Sequence, residues 1–597
     1  MKPRTAILAC CCAAVVVAQV LAQTKEKPQD GGAVCHTPTS TKAATTPARL
    51  MDGYGEVHMP IATKSEEAQK FFDQGLALLH SFWSYEADRS FERAAQLDPE
   101  CAMAQWGIAM AAVNEKRRDE AIKRAKELAA KASKPEKLYI AAVEARYQGE
   151  RATVQNNGFL GASEPYKKAL RMIVSSYPDD LEAKLFLALA LMSGYERDGA
   201  PKPGTAEAIK LLQVALAKDP KHLAAHHYMI HATESGKRAI DGAPSADVYG
   251  SLAPKVGHAV HMPGHTYVHI DRWDDAAKAF ERSAEVDRAY IRDNKETTDH
   301  AAGPYGHNLH FLATVYGYQG RYRDAVRAGQ ELLDATKTPD EQKSRAALEG
   351  RISTLRTLVR FEKYDEILNG QTLPDEGEFE VLKAWRYYAL ALAKIGRLDL
   401  AAGRAQLDML EREIARLKEK FDKAKDLPQA GRQRQQLRAL AVAPIELKAR
   451  LAARETTTTP SLQLTNLPNS GSPAERTKKE DEAIRLLRAG IEEEIKLGYS
   501  EPPLYPIPMD EVAGKVCLEL KRWKEAEEFF GAALERDPGS GRAYFGLMQA
   551  QHALGKDNES RISYAKFLNA WSKADADLPE MRRAKELAGT YSAPGGN

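Results

Sequence analysis

A period of 34 residues constrains this chain more than any other feature. Segments laid over one another at that spacing carry the same kinds of side chain in the same slots. Ala87, Phe91, Ala94 and Pro99 fill slots 20, 24, 27 and 32, and so do Ala208, Leu212, Ala215 and Pro220, then Ala526, Phe530, Ala533 and Pro538. First-helix slots agree: Gly264 and Tyr267 stand at 8 and 11, and Trp385, Ala389 and Gly396 at 4, 8 and 15. Small residues at slots 8 and 20 let two helices approach closely, and proline at 32 ends the second. Ala and Leu recur at helical spacing between these marks, and strand signals are almost missing. The expected fold is all-α: a tetratricopeptide repeat α-solenoid, a right-handed superhelix of helix-turn-helix units. Units begin near 68, 102, 181, 223, 257, 306, 348, 382, 507 and 541.

At 597 residues the chain is too long for one compact core, which an array accommodates. Lys plus Arg (85) nearly cancel Asp plus Glu (83), a balance that argues against binding nucleic acid through phosphate neutralisation. Lys2 and Arg4 precede an apolar run from Ala6 to Leu21 with small residues at its end, so residues 1–22 read as a secretory signal peptide. Too little apolar sequence precedes Cys10 to favour a lipid anchor there. No later segment is apolar enough to span a membrane, so the expected location is secreted or periplasmic. Residues 23–62, rich in Thr, Pro and Lys, read as a flexible leader. The array is expected over 63–454, a linker over 455–480 and a C-terminal repeat block over 481–590. Only Cys35, Cys101 and Cys517 follow the signal peptide, too few for a disulfide framework, and no haem-attachment motif occurs.

Eleven of the fifteen histidines lie between His222 and His310. The first helix of each repeat lines the concave groove, with slots 2, 5, 9, 12 and 13 pointing inward. His258, His261, His265 and His269 take slots 2, 5, 9 and 13 of the 257 unit; His227, His231 and Glu234 take 5, 9 and 12 of the 223 unit. His307 and His310 take 2 and 5 of the 306 unit. Imidazoles four residues apart on one helix can grip one ion, as His227/His231 and His261/His265 are spaced to do. The candidate metal ligands are His227, His231, Glu234, His258, His261, His265, His307 and His310, for one or two transition metals of the Zn, Cu or Fe type. Pro263 leaves two readings open: a kink within one helix, or a helix that starts there and splits the histidine stripe. His222, His226 and His300 fall off the groove slots, and His36, His58, His80 and His552 lie outside the cluster. Glu234 is the nearby candidate base for a hydrolytic role. The tryptophans at 106, 273, 385 and 523 read as core.

Further segments carry a resemblance. Phe72-Asp73-Gln74-Gly75-Leu76, Leu97 to Met103 with Trp106-Gly107, Tyr228 to Glu234, and Gly257-His258 with His261-Met262-Pro263-Gly264-His265 belong together. With them go Gly306 to Phe311 and Glu501-Pro502-Pro503 with Tyr505-Pro506. Together they resemble a group of bacterial secreted or periplasmic tetratricopeptide proteins that share the His-Met-Pro-x-His motif. The resemblance spans about 65–575 and implies the fold and the motif, and no activity. Where that family often has a second cysteine after Met103 this chain has Ala104, so no site based on Cys101 is implied.

Two functions of different class follow. One is a secreted solenoid with a metal site in its histidine groove. The other is an extracytoplasmic scaffold whose groove binds a peptide or partner protein without metal; a pH-sensitive histidine cluster that binds a partner is a separate reading of the same groups.

Overall fold

The computed structural model describes residues 48–590, apart from 113, 149–161, 197–198, 235–237, 295–298, 336–344, 371, 374–378, 424–429, 458–471 and 499. The expected signal peptide, Cys35, His36, most of the leader and the middle of the expected linker lie outside the described residues. Among the described residues every regular element is a helix, with one isolated bridge between Tyr195 and Pro201. Successive helices pack as antiparallel pairs, and the fold is the all-α repeat array that the 34-residue period requires.

The helices that position the site are, in chain order, α1 (Glu66–His80), α2 (Ser84–Leu97), α3 (Leu181–Leu191), α4 (Leu223–Thr233), α5 (Ala239–Leu252) and α6 (Gly257–His269). They are followed by α7 (Trp273–Asn294), α8 (Asp299–Tyr318), α9 (Arg345–Arg360), α10 (Met509–Glu519) and α11 (Trp523–Arg536). The slot pattern does the packing. A methyl group on Gly75 of α1 would stand 2.7 Å from the Phe91 ring of α2, one on Gly514 of α10 2.7 Å from Phe530 of α11, and one on Gly264 of α6 2.5 Å from Phe280 of α7. In these three pairs a side chain at slot 8 has no room, because the slot-24 phenylalanine fills that space.

The turn inside each pair also repeats. Phe82, Asp271, Glu362 and Lys521 all have positive φ, between 49° and 62°, and Gly320 and Gly555 take the same conformation at 75° and 74°. All six occupy slot 15. Glycine adopts this left-handed geometry without cost, whereas an L side chain is disfavoured there by roughly 1–2 kcal/mol. Phe82 is the costly member, since a bulky ring at positive φ is rare.

Residues 48–62, expected to be flexible, instead lie against α1. The buried carboxamide of Gln74 accepts from the Met51 amide at 2.8 Å and donates to the Arg49 carbonyl at 2.9 Å, and Lys255 N–H donates to the Gly53 carbonyl at 2.9 Å. The segment lacks an apolar period because it is held by hydrogen bonds from side chains of the array. The helical chain also enters the expected 455–480 linker from both sides, running to Thr457 and resuming at Pro473.

The C-terminal pairs return to the middle of the array. Trp571 Nε1–H donates to the Tyr318 carbonyl at 2.9 Å, Trp273 Nε1–H to the Pro538 carbonyl at 3.1 Å, and the Asp575 amide to the Gly320 carbonyl at 3.1 Å. This return brings the segment around Glu501 against α6. Of the tryptophans read as core, Trp106, Trp273 and Trp385 are buried and Trp523 is half-buried.

Candidate metal centre

Helices α4, α6 and α8 are the first members of successive pairs and lie beside one another, so their facing side chains converge. On α4, His231 Nε2 stands 3.0 Å from His227 Nε2, and across the helix boundary His227 Nε2 stands 3.1 Å from His258 Nε2 of α6. One turn further along α6, His261 Nε2 and His265 Nε2 are 2.8 Å apart, and the His307 ring of α8 lies 4.9 Å from that of His261. Two groups result, His227/His231/His258 and His261/His265/His307, each offering three nitrogens within 4.8 Å of one another. The rings of His258 and His261 are 6.3 Å apart and nearly parallel, so the two triads adjoin. Helix α6 runs through Pro263 without a break, so the reading in which a helix starts at Pro263 fails. Gly264, packed on Phe280, helps seat that stretch.

The far sides of the His227, His231 and His265 rings are anchored. His227 Nδ1 lies 2.5 Å from the His80 carbonyl at the end of α1, and His231 Nδ1 lies 3.3 Å from Glu234 Oε1. His265 Nδ1 contacts one Glu501 oxygen and His269 Nε2 the other. A carbonyl only accepts, so His227 Nδ1 carries the proton and its Nε2 offers a lone pair toward its neighbours. The Glu501 carboxylate imposes the same tautomer on His265. This is the arrangement that orients metal-binding histidines, with the outer nitrogen donating and the inner one exposed.

Electrostatics follow from burial. Burial, with the field of His265 added, pushes His231 down to about 3. His258 and His261 are held well below the usual imidazole range by burial and by the neighbouring rings. At neutral pH these three are uncharged bases. Burial alone would raise Glu501, but His265 and His269 outweigh it and keep the carboxylate ionised. Burial would likewise lower His265 and His269, and Glu501 reverses both. Burial pushes Glu234 up to about 8. Nitrogen lone pairs that face each other near 3 Å repel unless a proton or a cation lies between them. In His227 the one N–H of the neutral ring is on the outer nitrogen, so its inner lone pair meets either an N–H of a neighbouring ring or a cation.

Aromatic rings enclose the cluster. The Phe82 ring lies 4.5 Å from His227, 5.3 Å from His231 and 5.6 Å from His258, and Tyr249 of α5 stacks on His227 at 4.8 Å. Phe311 touches all three rings of the second triad, at 5.0, 4.6 and 4.7 Å. A cavity of about 30 Å³ reaches His258 and His307, one from each triad, and is walled by Phe82, Trp83, Asp287 and Tyr290. Burial pushes Asp287 in that wall up to about 7.

Six of the eight residues read from the sequence as ligands thus fall into the triads. Glu234 stands behind His231. His310 is buried apart from both triads, with Nδ1 3.8 Å from Glu349. The imidazoles do not line an open groove as the slot pattern suggested: His227, His261 and His265 are at most 1% exposed, because Phe82 and the Glu501 segment cover them. His80, read as unrelated, is central. Its ring bonds Tyr228 Oη at 2.8 Å and Glu182 of α3 at 2.6 Å while its carbonyl holds His227. His222 joins the same carboxylate at 3.5 Å, and His226 bonds Ser245 and the Pro220 carbonyl. His58 and His552 pair with Asp73 and Asp557 away from the centre. The side chain of His300 lies outside the described residues. Glu501 was legible only as part of a shared Glu-Pro-Pro motif, and neither Glu182 nor Asp287 carried any signal in sequence.

No helix among the described residues is long and apolar enough to cross a membrane. No protein-family model and no curated protein sequence matches the chain. Among solved structures, the human IFIT1 dimer with m7Gppp-AAAA is similar over 79% of this chain and 90% of its own, at 11% identity and a TM-score of 0.30. The P58(IPK) TPR domain is similar over 82% of this chain and 99% of its own, at 12% identity and a TM-score of 0.19. Both superpositions are loose, and nothing about a ligand or partner follows from either.

Proposed function

We propose that this chain is an extracytoplasmic metalloprotein of tetratricopeptide-like fold that holds two transition-metal ions, one in each histidine triad. One observation carries the reading: six imidazoles from three neighbouring helices turn their inner nitrogens toward two common points. In both triads outer nitrogens are anchored on acceptors. Nitrogens bound tetrahedrally at roughly 2.0–2.1 Å stand about 3.3 Å apart. The 3.0 and 3.1 Å separations of the first triad are within a few tenths of an ångström of that. Neutral imidazole suits Zn, Cu or Fe. Three ligands per ion leave a coordination position open, which in zinc sites distinguishes catalytic from structural centres. For a water bound there, the carboxyl group in the adjoining cavity is Asp287 rather than Glu234, and its elevated proton affinity suits a group that exchanges protons near neutral pH. The proposed location outside the cytoplasm rests on the N-terminal sequence alone.

Elemental analysis after chelator-free purification tests this. The wild type should carry about two equivalents of metal, and His227→Ala/His231→Ala or His261→Ala/His265→Ala about one each. Less than about a tenth of an equivalent in the wild type refutes the reading. Helix-pair arrays also serve as scaffolds for protein partners, and a peptide or protein held elsewhere along the array is the second reading. EDTA separates the two. A bound metal stabilises the folded state by linkage, so a melting temperature unmoved by chelator favours the scaffold.

A further inference from the structure

A second cavity, of about 300 Å³, lies between α6, α8 and the segment after Glu501. Its walls are mostly apolar, with Trp273, Phe311, Val315, Tyr318, Pro502 and Leu504 prominent, and His265, His269 and Glu501 close one side. Thr314, Tyr318, Pro503 and Tyr505 belong both to this chamber and to a recess of about 10 Å³ that Arg356 and Arg360 of α9 line. The recess is about the size of one water molecule, room for one carboxylate oxygen.

Arg356 is the unusual residue. It is 6% exposed, and its Nη2 donates to the Pro503 carbonyl, while its Nε and Nη1 have no hydrogen-bond partner. No carboxylate among the described residues forms an ion pair with it, and Arg360 one turn away adds a like charge. Burial pushes the Arg356 guanidinium down to about 10, Arg360 adding to the shift while Tyr318 and Glu349 oppose it. Arg360 by contrast has Glu511 at 3.4 Å and stacks over Tyr318 at 4.1 Å. The carboxylates around the chamber are already engaged. Glu501 is held by His265 and His269, Glu494 and Asp510 by Arg536, and burial pushes Asp537 up to about 6. A buried guanidinium with idle donors is a strongly unfavourable state, and an anion that accepts from it removes the deficit.

We propose that this chamber binds an apolar organic acid, one oxygen of its carboxylate accepting from an idle N–H of Arg356 and its hydrocarbon body lying among Trp273, Phe311, Val315 and Tyr318. An inorganic oxyanion satisfies the recess but leaves the apolar chamber filled with water. The chamber has room for a chain of roughly ten carbons. The body of the acid then lies along the wall that carries His265 and His269. The inference stands apart from the metal reading, since every group that it uses belongs to the protein.

Calorimetric titration of the full chain with octanoate and with 1-octanol, each with and without EDTA, tests it. Octanoate should bind in both conditions, and the alcohol at least about tenfold more weakly, because a charge-assisted bond is lost. Arg356→Met should weaken octanoate at least about tenfold and leave 1-octanol unchanged. Val315→Trp, which fills the chamber and spares Arg356, should abolish both, and it decides the matter if Arg356→Met does not fold. Absence of octanoate binding, equal affinity for acid and alcohol, octanoate affinity unchanged in either variant, or displacement of octanoate by equimolar inorganic phosphate each overturns the proposal.

Discussion

Glu501→Gln isolates what the second anchored triad owes to its outer carboxylate. In the wild type one carboxylate bridges His265 Nδ1 and His269 Nε2, its side chain is 9% exposed, and it is the counterion that keeps both rings basic. The amide keeps the shape and can still accept from one ring, but it removes the negative charge and turns one acceptor into a donor. Loss of an outer-sphere partner of this kind typically lowers metal affinity about 10- to 100-fold, or roughly 1.4–2.7 kcal/mol. The first triad, whose anchors are the His80 carbonyl and Glu234, should keep its affinity within about twofold. Competition against a chromophoric chelator resolves two binding steps in the wild type, and only one should weaken in the variant. Equal weakening of both steps, or of neither, refutes the reasoning that the Glu501 charge acts through His265 on one site. In metal-free protein the same substitution leaves two buried rings without a counterion, so their basicity should fall, which NMR titration of the histidine protons checks.

Four other outcomes follow from the structure. Glu182→Gln should make acid stability flatter. Burial would raise Glu182, but His80 and His222 hold it well below the usual carboxylate range, so its contribution is present above about pH 4.5 and is lost as pH falls below that; identical acid unfolding curves for metal-free wild type and variant would contradict this. Gly264→Ala should destabilise by about 1–3 kcal/mol in denaturant titration, because the added methyl meets Phe280, itself 4.7 Å from His261; a neutral effect would show that the ring has space to yield. Phe82→Gly should relieve roughly 1 kcal/mol of backbone strain yet speed metal release from the first triad in stopped-flow chelator capture, and unchanged release would remove the ring's role as a cover. Burial pushes the thiols of Cys101 and Cys517 up to about 11 and about 12, so peptide mapping after iodoacetamide at pH 8 should find both unmodified until the protein is unfolded.

The array and most of the cluster were readable in sequence because both depend on local spacing. The slots that put Gly75 against Phe91 also put His227, His231, His261 and His265 on facing helices, and steps of four residues keep each pair on one face. Depth was not readable. The slots point side chains into a groove, but whether the groove is open depends on what returns to fill it. The filling residues arrive from far along the chain: Glu501 is 236 residues from His265, and the His80 carbonyl is 147 from His227. His80 also misled by type, since its most telling contact with the centre is made by its backbone, which any residue carries. Residues 48–62, the described end of the expected leader, departed from expectation for the opposite reason. Their composition is that of a disordered segment, and side chains already fixed in the array supply the hydrogen bonds that hold them. The arginine recess lay beyond sequence too, because Arg356 differs from Arg360 in having no carboxylate among the described residues within ion-pair distance, which spacing does not reveal.

The order in which the chain is made gives the bridging carboxylate one more consequence. A ribosome releases the three histidine helices long before it reaches residue 501, so the later half of the centre spends part of its early life without a lid. Any product cut short before that point displays bare imidazoles on its inner wall, open to whatever ion is at hand. The intact protein closes that wall with its own tail.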